Sequence, residues 1–303
     1  MTTSSRTVIV ALVANLGVAI AKVAAAAFTA STAMTAEASH ACADVGNQLL
    51  LVVAQRRGAR AADDRHPFGY GREAYFWALL ASIVVFVAGA VFSFREGITE
   101  LLHPVRLTAF TAVYVVLGIS VLLDATSLGQ SVVQLRHDAQ AQSRDFLDQL
   151  MLTSDPTVRA VFAEDAAAIA GDIVAIVGVM VHQHTGSSAA EGWAATFIGV
   201  LLVGVGLQLA RRNRDFLLGE QAPAAAKQRI RASIAAVPGV AAVGELLVTF
   251  MGPRQVWVLC RIDVDDGLRG DQVEALVRDL DRFLREQSVY VHRVDIVPMG
   301  RVR

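Results

Sequence analysis

The sequence predicts a membrane all-α bundle of six transmembrane helices, residues 1–214, followed by a small cytoplasmic α+β domain of order αββαβ, residues 215–303. Three observations carry that prediction. Hydrophobic residues make up 54% of the 303 and charged residues 18%, with mean hydropathy +0.48, which is too apolar for a soluble domain of this size. Six apolar stretches each approach the ~20 residues that a spanning helix needs. After Arg214 the continuous apolar runs give way to alternating and amphipathic patterns.

The first stretch, 8–28, follows Arg6 and is too long for the apolar core of a cleavable signal, so it reads as a transmembrane helix. Asn15 and Lys22 interrupt it and imply a face turned to other helices or a snorkelling side chain. Further helices are expected over 36–55, 76–101, 108–131, 157–181 and 193–210. Lys and Arg in the short connections set the orientation. Arg56, Arg57, Arg60, Arg65 and Arg72 follow the second helix, Arg136 and Arg144 the fourth, and Arg211, Arg212 and Arg214 the sixth. The opposite connections carry only Arg106, so both termini are expected in the cytoplasm. Tyr75, Phe76, Trp77 and Trp193 stand where an aromatic belt is expected.

The second stretch holds the chemistry, in the run from Thr35 to Gln48. In a helix His40 and Asp44 share a face one turn apart, with Glu37 and Asn47 a turn further at either end. An imidazole and a carboxylate at that spacing suit zinc and similar first-row divalent ions, and ionisable groups at membrane depth mark ion pathways. The bland alternative is a polar seam that joins helices by hydrogen bonds.

The fifth helix offers Glu164, Asp165 and Asp172. Asp165 and Asp172 lie seven residues apart, about 10 Å along the axis, too far for both to hold one ion with ligand bonds near 2 Å. One of the three acids is left to complete the site. Glu164 alternatively faces the cytoplasmic end, and Asp172 alternatively serves a polar seam or carries a proton. Asp124 either lines the pathway or bonds a neighbouring helix, the Arg95-Glu96 pair reads as interfacial anchoring, and His182 and His184 read as solvated residues on the outer side, with capture or release of an ion as the alternative. Residues 140–154 read as a cytoplasmic loop with some helical content.

In the tail, a helix over 224–236, strands over 243–250, 256–264 and 289–297, and an amphipathic helix over 270–286 give the order αββαβ. The latter helix carries Val273, Leu276, Val277, Leu280, Phe283 and Leu284. At roughly 80 residues such a layer is expected to lean on a second copy of the chain. Net charge −1 and basic clusters confined to short runs give no sign of a nucleic-acid partner, and none is expected; Cys42 and Cys260 show no C-x-x-C spacing. No G-x-x-x-x-G-K-[ST] run points to ATP, and no catalytic constellation points to an enzyme.

These residues, with Asp63-Asp64-Arg65-His66-Pro67-Phe68-Gly69-Tyr70-Gly71-Arg72-Glu73 before the third helix, resemble the cation diffusion facilitator family of divalent-metal/proton antiporters. Glu164-Asp165-Ala166-Ala167-Ala168 with Gly171 is similar to the zinc transporter 9 branch and its bacterial relatives. The resemblance implies a ferredoxin-like tail, a homodimer through that tail, and a site of His40, Asp44 and an acid of the fifth helix, Asp165 being favoured. Three departures bear on metal sites. Ile169 stands four after Asp165, so no second ligand pair follows at that spacing; Tyr70 stands where a second loop histidine would join Asp63 and His66; and the tail offers only His292 near Asp295, so it is expected to be metal-free.

The implied function is efflux of a divalent cation, Zn2+ first, by proton-coupled antiport with alternating access, in the cell (inner) membrane. The metal is substrate and no cofactor is implied; partners are the ion, protons, lipid and a second chain. Mn2+, Fe2+ or Co2+ as cargo, and a non-transporting receptor or scaffold, are the alternatives. His40 favours zinc because a nitrogen donor suits the harder manganese less.

Overall fold

The computed structural model describes residues 3–104, 109–141, 154–287 and 290–299. The chain divides into two compact units, Met1–Arg56 with Phe76–Asn213, and Arg57–Tyr75 with Arg214–Arg303.

The first unit is built on six long helices: α1 (Thr3–Thr29), α2 (Thr32–Gly58), α3 (Gly71–Leu102), α4 (Phe110–Ala141), α5 (Pro156–Thr185) and α6 (Ala189–Leu217). Each runs past the apolar stretch that announces it. Hydropathy marks only the segment suited to hydrocarbon, whereas backbone hydrogen bonding continues into the polar ends; 27 to 32 residues at 1.5 Å each reach about 40–48 Å, beyond a ~30 Å hydrocarbon core. Among the described residues three helical segments, Gly71–Leu102, Phe110–His137 and Ala189–Leu217, are long and apolar enough to cross a membrane by length and composition alone. Glu37 and Asp44 on α2, and Glu164, Asp165 and Asp172 on α5, lower the hydropathy of the helices that carry the candidate site. Ala30, at φ 56°, reverses the chain between α1 and α2, and the Ser31 hydroxyl caps α2 by accepting the Met34 N–H at 3.2 Å.

The bundle presents apolar side chains outward, among them Ile20, Val91, Leu122, Phe197 and Val200. It buries Lys22, Glu37, His40, Glu164, Asp165 and Asp172 beside an apolar core that includes Phe86, Leu117, Val179, Ile198 and Leu202. Apolar outside and ionisable inside is the arrangement of a membrane protein. Residues 142–153, most of the expected loop 140–154, lie outside the described residues.

The second unit contains α7 (Ala224–Ala235), β1 (Val240–Gly252), β2 (Gln255–Val264), α8 (Gly270–Gln287) and β3 (Val291–Met299). The sheet order is β1-β2-β3, with β1 antiparallel to β2 and β3 parallel to β2 through the α8 crossover. Leu246 and Val248 alternate inward with Val258, Cys260 and Ile262 and meet Ile234 of α7 and Leu276, Leu280 and Leu284 of α8. Burial pushes the Cys260 thiol up to about 11, so it remains a protonated core residue at neutral pH.

Residues 57–75, which the sequence leaves as a connection between two helices, belong to this second unit. Phe68 lies against Trp257, ring centroids 5.5 Å apart, and under the Arg293 guanidinium at 4.9 Å. Trp257 and Arg293 are register partners on β2 and β3, pointing away from the face that α7 and α8 cover. Tyr75 is fully buried and stacks on Phe216, so it is a packing residue rather than part of an interfacial belt. The motif glycines have physical roles. Gly69 holds φ 76°, and a Cβ on Gly71 would stand 2.5 Å from the Met251 carbonyl oxygen and 3.0 Å from the Gly252 Cα.

Candidate metal pathway

Helix periodicity alone brings His40 and Asp44 together: Nε2 of His40 lies 3.6 Å from Oδ2 of Asp44, with His40 buried and Asp44 nearly so. Neither imidazole nitrogen has a hydrogen-bond partner, and Asp44 Oδ1 has none. Beside this pair α1, α2, α4 and α5 enclose a cavity of about 20 Å3, lined among others by Asp44, Gln48, Asp124, Glu164 and Asp165. That is room for one water-sized species.

The acids reach the cavity by different routes. Glu164 is buried and turned toward α2, where the Asn47 amide donates to its Oε1, while its Oε2 is unpartnered. It is therefore turned to the facing helix and buried there, rather than left at a solvated helix end, the alternative that spacing leaves open. Asp165 accepts a hydrogen bond from Ser127 of α4 and keeps Oδ2 unpartnered. Asp124 is bonded within its own helix, by Ser120 at 3.1 Å, and lines the cavity rather than joining a neighbouring helix. Buried carboxylate and imidazole atoms without partners cost about 1–3 kcal/mol each, a cost that a ligated cation or added protons would relieve. Among the described residues no three of His, Cys, Asp and Glu converge as a ready-made metal site. His40 itself is outside the cavity lining.

Asp172 is set apart. Its Oδ1 accepts the Lys22 ammonium at 2.6 Å, and the same ammonium bonds Glu37 Oε2 at 2.8 Å, with all three side chains buried. A lysine amid apolar residues implies a face turned to other helices or a snorkelling side chain; the ammonium takes the first course, toward partners on α2 and α5 that only the fold identifies.

Near the α1–α2 turn is a second buried polar group. Glu191 of α6 accepts from the Ser31 hydroxyl and lies 2.5 Å from Nδ1 of His182, while the Thr32 hydroxyl donates to Glu100 at 2.5 Å. His182 is thus buried and paired, contrary to the expectation of a solvated residue, because a carboxylate on the adjacent helix satisfies the imidazole. His184 is exposed, and Arg95 pairs with Glu96 at 2.9 Å.

In the second unit, Asp63 is already engaged: the Tyr70 hydroxyl donates to Oδ2 at 2.6 Å, the His66 backbone N–H to Oδ1 at 2.7 Å, and His66 Nδ1 lies 3.3 Å away. The Tyr70 hydroxyl first, and then the His66 N–H, hold the Asp63 carboxyl below its usual range. Asp295 accepts from Trp257 Nε1 at 2.7 Å and from Arg293 Nε at 2.8 Å, and Arg293 first holds its carboxyl low.

The cation efflux transmembrane domain matches residues 8–218 of this chain. The chain belongs to the cation efflux family. It resembles the SLC30A9 branch of these cation diffusion facilitators: the mitochondrial proton-coupled zinc antiporter SLC30A9 of Xenopus laevis is 29% identical over 238 residues, 78% of this chain and 43% of that protein. Metal tolerance protein C4 of Arabidopsis thaliana is 30% identical over 191 residues, 63% of this chain and 42% of the relative. The cation-efflux pump FieF of Escherichia coli is 24% identical over 266 residues, 84% and 81% of the two chains. The chain spans less than half the length of the SLC30A9 proteins it matches. Cation efflux proteins are transporters rather than enzymes.

Proposed function

We propose that this protein exports a divalent cation, Zn2+ first, in exchange for protons. The observation that carries the reading is the buried His40–Asp44 pair beside a cavity that Glu164 and Asp165 also line. The ion enters from the cytoplasm and is held by His40, Asp44 and an acid of α5, with Asp165 and Glu164 both at the cavity wall. The bundle then rocks, and the ion leaves on the other face. Ligation needs a neutral imidazole and ionised carboxylates, so protons from the outside compete the ion off and return on the same groups. The names of the relatives, a proton-coupled zinc antiporter and a metal tolerance protein, support this reading. An imidazole ligand supports zinc over manganese.

In this reading all six helices cross the inner membrane, both termini are cytoplasmic as the arginine-rich connections favour, residues 1–214 carry transport, and residues 215–303 form a ferredoxin-like tail that joins two copies. The test is zinc uptake by sealed vesicles. His40→Ala and Asp44→Ala each abolish uptake while the dimer persists; near-wild-type uptake by both removes the site from the account.

A further inference from the structure

Lys22 makes two buried charged contacts inside the bundle that the transport reading does not use. Its ammonium bridges Glu37 on α2 and Asp172 on α5, two carboxylates that are fully buried, at 2.8 and 2.6 Å. Each carboxylate keeps one oxygen unpartnered, Glu37 Oε1 and Asp172 Oδ2. The pair sits next to the candidate site: Glu37 is one turn before His40, and Asp172 is two turns beyond Asp165. The helix packing is arranged around it. A Cβ on Gly171 would collide with Glu37 Oε1 and approach His40 Nδ1 to 3.6 Å, so the glycine beside Asp172 is what lets Glu37 lie against α5.

Two buried carboxylates on facing helices, each with a free oxygen, have the donor set of a divalent-cation site. Here the chain supplies the cation. We infer that Lys22 is a tethered cation that fills this Glu37–Asp172 position, so that the pathway accepts a single exogenous divalent ion, at the level of Asp44. A lysine suits the task because its ammonium is a compact charge with three donors, and a cation held on the chain acts at an effective concentration that no free ion of cellular abundance matches. On this basis Lys22 determines how many ions the protein takes, and Asp172 serves Lys22 rather than the transported metal. The inference rests on the transport reading only for the place of the other ion.

The test is zinc titration, by equilibrium dialysis, of the full chain in lipid nanodiscs. Lys22→Met leaves the two carboxylates without their cation and is expected to raise the bound zinc by one ion per chain, an increase that Lys22→Met/Asp172→Asn loses. In Lys22→Met/Asp44→Ala the added ion remains while the pathway ion is lost, which separates this claim from the transport reading. A folded Lys22→Met protein that binds the wild-type number of ions overturns the inference. Where Lys22→Met does not fold, Asp172→Asn in the wild-type background decides: zinc affinity within about twofold of wild type is expected, and a loss in the 10–100-fold range typical of disturbed metal sites makes Asp172 a ligand and overturns it.

Discussion

Asn47→Leu tests whether Glu164 belongs to the metal pathway. The Asn47 amide donates to Glu164 Oε1, and both side chains are about 2% exposed. Leucine keeps the approximate volume and removes the donor, so the carboxylate loses its orientation while Oε2 is still unpartnered. Partners that orient a metal-binding carboxylate are worth about 10–100-fold in affinity, or about 1.4–2.7 kcal/mol. A buried carboxylate stripped of its donor also costs about 1–3 kcal/mol of stability. Zinc isotherms of the purified protein in nanodiscs, beside thermal unfolding in the same discs, read both effects. The expectation is a 10–100-fold weaker Kd together with a lower Tm. Glu164→Gln is expected to weaken zinc by a similar factor, and the double variant no further, because the two residues act as one unit. A Kd within about twofold of wild type beside a lowered Tm refutes the reasoning, since the hydrogen bond would then be packing alone.

Asp165→Asn replaces a carboxylate at the cavity wall by a poorer donor and is expected to raise the zinc Kd at every pH tested; isotherms at two pH values check this. Tyr70→Phe removes the hydroxyl that chiefly holds the Asp63 carboxyl low, so carboxyl NMR is expected to show Asp63 moving up toward the ordinary aspartate range. The sign for stability follows. The depressed carboxyl stabilises above its unfolded value and loses that contribution as pH falls through its folded one, so Tyr70→Phe flattens the acid side of the melting profile. Gly71→Ala places a Cβ 2.5 Å from the Met251 carbonyl oxygen and is expected to cost the second unit about 1–3 kcal/mol, read as a lower Tm.

What could be read from the sequence divides along local and tertiary lines. The His40–Asp44 pair is legible because four residues of helix fix the spacing whatever the neighbours do. The tail is legible for the same reason, since alternation at Val258, Cys260 and Ile262 and the 3.6-residue period through Leu276, Leu280 and Leu284 are local signals. Lys22 is different: nothing within α1 says that its partners stand 15 and 150 residues away. Glu164 is ambiguous in sequence because a helix can turn an acid near its end either way, and only Asn47 on the facing helix decides it. His182 reads as a loop histidine until α6 brings Glu191 beside it. Residues 57–75 carry a recognisable motif, yet their place against Trp257 and Gly252 depends on a sheet almost 200 residues later.

The central claim, that one site serves zinc and protons in turn, is tested most directly by following both ions in one proteoliposome preparation. With an acidic lumen and zinc outside, the account predicts zinc accumulation accompanied by alkalinisation of the lumen, both lost in His40→Ala and Asp44→Ala. Zinc accumulation that proceeds at the same rate with the pH gradient collapsed and with no change in lumenal pH would contradict it.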